Sequence, residues 1–211
     1  EHLLDAGWNV DMLGVDRRGV VRVEHLVELL REETRLVIVI AANHETGAIQ
    51  PIAEAAAECH RHGAFFHTDA VQTAGKLPMD FRALGLSAMS IAAHKFGGPV
   101  GIGALLLAPD VPFEPLLVGG AQQEGLRPGT EPVALAVGMH AALGAMVGHR
   151  EELRRHWATL RERFENRIKA GWPEVVVHAA DAPRLEQTVN LGFPGIDAQM
   201  LFTALDTAGV A

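Results

Sequence analysis

Three long apolar runs, each ending in a cluster of reactive polar residues, constrain the fold of this chain most. "RLVIVIAANHETG" delivers Asn43, His44 and Glu45; "AFFHTDAVQ" delivers Asp69 and Gln72; "SAMSIAAHKFGG" delivers His94 and Lys95. Apolar runs of this kind read as strands buried on both faces, as parallel sheets require. "PIAEAAAECHRHG" reads as a helix between the first two strands, with Pro51 in its first turn and Gly63 as its C-terminal cap. "GIGALLLAP" reads as a fourth strand. The expected fold class is α/β, a mostly parallel sheet with helices on both faces.

The pattern changes after "RPGTEPVALAVGMHAALGAMV". A long charged amphipathic helix follows, "GHREELRRHWATLRERFENRIKAG", then strands in "EVVVHAA" and "LEQTVNLGF" and a helix in "DAQMLFTALDTAG". Residues 1–145 are expected to be part of a large α/β domain. Residues 146–211 are expected to be a bridging helix and the first part of a smaller α+β domain. "EHLLDAGWNV" reads as a helix end, and "FTALDTAGVA" as a helix giving way to a strand, so the sequence is expected to be a fragment.

A formal charge of -8 argues against a nucleic-acid partner. The most apolar window, Leu36 to Ala42, is too short to span a bilayer, and the N-terminus does not resemble a signal peptide. One cysteine, Cys59, excludes an internal disulfide and suits a reducing, cytoplasmic setting. The 11 histidines include "HRH" at 60–62 but no paired spacing for a structural metal, so no metal site is expected.

Ligands of open parallel sheets gather outside the carboxyl ends of the strands. The three polar clusters would therefore share one rim, bringing an acid, an amide, imidazoles and an amine together. Lysine is scarce here: of 18 basic residues only Lys76, Lys95 and Lys169 are lysines. A lysine beside a carboxylate is what pyridoxal phosphate requires, the amine for its aldehyde and the acid against its pyridinium nitrogen. Gln72 could reach the ring's phenolic oxygen. Plainer readings stand beside these, with Lys95 as a solvated strand end and Asp69 as a helix N-cap. "GGPVGIG" leads into a strand, so it is no dinucleotide fingerprint.

The ordered set "NHETGAIQPI", "HTDAVQTAGKLPMDF", "MSIAAHKFGGPVGIGALLL" and "LRPGTEPV" resembles the cysteine desulfurases, fold-type I pyridoxal-phosphate enzymes of the class V aminotransferase group. The likeness runs in register over nearly the whole chain. It implies that residues 1–145 belong to the cofactor-binding large domain and that Lys95 is the catalytic, cofactor-bearing lysine. Asp69 would face the pyridine nitrogen, Gln72 the ring oxygen and His94 the phosphate. Thr130 would reach the phosphate of a neighbouring subunit, implying a homodimer; it also precedes a helix, as an N-cap would.

Two positions depart from the family pattern. Ala92 stands where a serine usually contacts the phosphate, and His44 where a second asparagine contacts the ring oxygen. An imidazole can also donate a hydrogen bond, so either His44 or Asn43 fills that role.

The likeness implies that incoming L-cysteine displaces Lys95, which then removes the Cα proton. A thiolate elsewhere takes the sulfur and leaves alanine, and the sulfur passes to an iron–sulfur scaffold or to tRNA thiolation. The sulfur-accepting cysteine, the ring-stacking histidine and the substrate-carboxylate arginine have no counterpart here; His2 is not that histidine, and Cys59 reads as a packed helix residue. The chain is therefore expected to be inactive alone. A selenocysteine lyase would share every motif quoted; a non-catalytic remnant of the scaffold is the other alternative, with the intact Asp69, Gln72, His94 and Lys95 against it and Ala92 for it.

Overall fold

The computed structural model describes residues 2–210. Its centre is a four-stranded sheet: β1 (Leu36–Ile40), β2 (Phe65–Asp69), β3 (Ala88–Ala92) and β4 (Gly103–Leu107), in that spatial order. The first three pair in parallel and β4 runs antiparallel to β3. Helices α1 (His2–Asp5) and α2 (Val23–Leu29) precede the sheet, and α3 (Ile52–Arg61) crosses from β1 to β2. Leu26 of α2 and Ile52, Ala55, Ala56 and Cys59 of α3 pack on Val37, Val39, Phe66 and Met89 to form the main core.

Beyond the sheet, α4 (Val133–Gly148) and α5 (Arg150–Gly171) meet at His149. Met139, Leu143 and Met146 of α4 pack on Ala74, Ala93 and Phe96 in a second cluster, just past the end of β3. A two-stranded ribbon, β5 (Val176–Val177) with β6 (Leu191–Gly192), and α6 (Ala198–Thr207) complete the described residues. None of their helices is long and apolar enough to cross a membrane.

The α/β class and parallel pairing agree with the apolar runs, and four details differ. β3 stops at Ala92, and Ala93–Phe96 form a 3₁₀ turn closed by Gly97, whose φ of 82° suits glycine. Lys95 therefore lies in this turn instead of ending the strand. Pro51 is the residue just before the first turn of α3 and not within it, whereas Gly63, with φ 73°, closes the helix as expected: its N–H donates to the His60 carbonyl and that of Ala64 to the Cys59 carbonyl. On β1 the second face is open: Leu36 and Ile38 are 51% and 55% exposed, with the intervening Val37 and Val39 buried.

The fourth difference is that the two late strands keep only two residues each. "LEQT" is drawn out of the ribbon because Leu185 is buried and its N–H donates to the carbonyl of Gly47, 2.9 Å away. The strand start expected at the C-terminus reaches Ala211, outside the described residues.

Candidate active site

Parallel pairing places the carboxyl ends of β1, β2 and β3 on one edge. Ile40 is opposite Asp69, and Asp69 opposite Ser90. Asn43 and His44 follow β1, Asp69 and Gln72 end and follow β2, and His94 and Lys95 follow β3. Backbone bonds tie the ends together: Ala41 donates to the Asp69 carbonyl at 2.8 Å, and Ala70 to the Ser90 carbonyl at 2.9 Å. Six of the seven residues singled out from the sequence thus share one rim.

The Asp69 carboxylate is half-buried and accepts from the Val71 N–H at 2.8 Å through Oδ1. No other hydrogen bond or ion pair among the described residues engages it. Gln72 is half-buried in the turn that follows, and its carbonyl accepts from Lys76 Nζ at 3.2 Å. His94 and Lys95 are exposed, without a salt-bridge partner among the described residues. The rim thus holds an available carboxylate, amide, imidazole and amine, a donor set that fits pyridoxal phosphate.

Asn43 is committed to its own loop. Its Oδ1 accepts from the N–H groups of Glu45 and Thr46, both at 2.9 Å, and from the Thr46 hydroxyl at 3.3 Å. His44 is exposed, with Glu45 Oε1 3.9 Å from its Nε2. The Asn43 Nδ2 and the His44 ring nitrogens make no hydrogen bond among the described residues, so each keeps a donor for a ring oxygen. Thr130 follows none of the three parallel strands; it is exposed in the loop before α4. Pro132 occupies the N-cap position of that helix, so Thr130 does not cap it.

Three further side chains line or underlie the rim. His67 shares a strand face with Asp69, and its Nε2 lies 2.8 Å from the Ser90 hydroxyl. Desolvation pushes its pKa below the ordinary value, against a smaller opposing pull from Asp69. Lys76 is only 8% exposed, and its pKa is lowered by burial first and by Lys95 second. The scarcity of lysine was the one sequence signal for it, and that signal fell equally on Lys169. Ser90 is committed to His67 and does not replace the hydroxyl missing at Ala92.

Cys59 is fully buried in α3, and burial raises its thiol pKa to about 11, far from a ready nucleophile. Two surface concavities lie away from the rim, one between α5 and residues 186–189 and the other on α6. No cluster of three metal-ligating side chains occurs among the described residues.

The aminotransferase class-V family model matches residues 2–211. A cysteine desulfurase of Klebsiella pneumoniae is 39% identical over all of this chain and 53% of its own length. An IscS-like cysteine desulfurase of Mycobacterium tuberculosis is 42% identical over 97% of this chain and 53% of its own length. The X-ray structure of a NifS-like protein from Rickettsia africae superposes with a TM-score of 0.91 at 32% identity, over 98% of this chain and 58% of that one. The chain spans about half the length of the curated relatives it matches.

Proposed function

Because the chain belongs to the aminotransferase class-V family, we propose that it carries the cofactor-binding part of a pyridoxal-phosphate-dependent cysteine desulfurase. The observation that carries this reading is the single sheet edge presenting Asp69 and Lys95 with no competing ion pair among the described residues. The names of the relatives support L-cysteine as substrate.

Lys95 would hold the cofactor aldehyde, Asp69 the ring nitrogen, Gln72 and His44 or Asn43 the ring oxygen, and His94 the phosphate. When bound, pyridoxal phosphate supplies an aldehyde that captures amines and a ring that withdraws an electron pair from the substrate Cα. Asp69 would sit against the ring nitrogen, where a carboxylate would keep a proton on that nitrogen. The Lys95 amine, exposed on its short turn, can swing to take the Cα proton. Burial of Ala93 and Phe96 on either side fixes the base of that turn, so the motion belongs to the side chain.

Thr130, on its exposed loop, would serve a second subunit of a homodimer. Residues 1–145 would form the cofactor lobe and 146–211 the start of the smaller lobe. The whole protein would be cytoplasmic and would pass sulfur to an acceptor such as an iron–sulfur scaffold, through a cysteine other than the buried Cys59. Titrating pyridoxal phosphate into the chain and reading its visible absorption tests the reading. Wild type should develop a saturable band that Lys95→Ala abolishes and Asp69→Asn weakens. An identical band in Lys95→Ala sinks it.

A further inference from the structure

We propose that residues 183–188 position the loop bearing Asn43 and His44, with Arg161, Glu165 and Arg184 as positioning residues, resting on the reading above that this loop faces the cofactor. One hydrogen-bond chain runs from helix α5 to the rim. Arg161 Nη1 donates to the Leu185 carbonyl at 3.0 Å. The Leu185 N–H donates to the Gly47 carbonyl at 2.9 Å, and the Gly47 N–H to the Asn43 carbonyl at 2.9 Å. Beside it, the Ile49 N–H donates to the Pro183 carbonyl at 2.9 Å, and Ala48 bridges to Arg184. The loop is thus held by a segment 130 or more residues away in sequence.

The contact tolerates no spacer. Gly47 has φ 76°, and a Cβ there would lie 2.9 Å from Cβ of Thr188. The segment itself is fixed to α5 by a buried ion pair. Arg184 Nη1 lies 3.0 Å from Glu165 Oε1, their side chains only 7% and 11% exposed. Neither atom has a hydrogen-bond partner elsewhere among the described residues, so each depends on the other. Arg154 adds a forked contact to Glu186, at 2.6 and 3.1 Å. A buried ion pair stabilises little compared with apolar packing, but any displacement strands a buried charge. Such a pair therefore selects one position for the segment, and through Leu185 one position for the rim loop.

The test uses Arg161→Met and the double variant Glu165→Met/Arg184→Met, which leaves no unpaired charge. Amide hydrogen exchange in the whole chain should rise by about tenfold or more at Ile49 and Leu185 but stay unchanged at Val39 and Phe66. Pyridoxal phosphate should bind roughly fivefold or more weakly, because the loop must be ordered on binding. Unchanged exchange at Ile49 in both variants overturns the proposal. So does faster exchange with unaltered cofactor affinity, and so does uniform acceleration that includes Phe66. A wild-type chain that binds no cofactor overturns the functional reading instead, and exchange at Ile49 alone then decides whether the segment positions the loop.

Discussion

Beside Asp69, burial makes the charged form of His67 costly, so the fold favours a neutral imidazole that keeps its contact with Ser90. In the unfolded chain the same group takes a proton near its ordinary 6.5. The unfolded state therefore binds more protons below that value, and stability drops as pH falls through 6.5 toward the lowered folded pKa. Denaturant midpoints followed from pH 8 to pH 5 should fall less in His67→Gln than in wild type, and the His67 ring resonance should titrate below those of exposed histidines. A His67 resonance titrating with the exposed ones would contradict the burial argument. Cys59 makes the opposite case among nucleophiles. Its raised pKa and full burial predict no reaction with a thiol reagent until the chain unfolds, and no alanine released from L-cysteine by this chain. Thiol titration and an alanine assay check both.

At the scale of elements, α3, α5 and α6 were legible because their signals are local, whereas the short α2 and the true length of the late strands were not. Asp197 announces α6: its side chain accepts from the Met200 N–H at 2.9 Å. Met200 and Phe202 are exposed, so α6 draws little on packing and much on its cap. Asp197→Ala should cost about 1 kcal/mol, seen as faster amide exchange confined to residues 198–207; equal exchange would mean that the cap contributes nothing. "EVVVHAA" and "LEQTVNLGF" read as full strands because periodicity records only which side chains are apolar. The partner that claims Leu185 is the Gly47 loop, far away in sequence. The 3₁₀ turn at Lys95 was hidden for a related reason. Apolar Ala92 and Ala93 continue the strand pattern, while burial of Ala93 and Phe96 against α4 bends the chain there.

At the scale of the molecule, the parallel edge was legible because continuous apolar runs fix strand pairing and pairing fixes which ends share a rim. Asp69, Gln72, His94 and Lys95 could all be placed this way. The environment of Lys76 could not, since burial of a lysine depends on the turn 70–77 and on α4 beside it. That difference gives the central claim a sharp test, because the three lysines now have distinct surroundings: Lys95 exposed at the rim, Lys76 buried against Gln72, and Lys169 near the end of α5. The measurement is borohydride reduction of the chain after addition of pyridoxal phosphate, with mass mapping of the peptides. Label confined to Lys95 is the predicted result. Label shared equally with Lys169, or none in a folded chain, would contradict the assignment of Lys95 as the cofactor lysine.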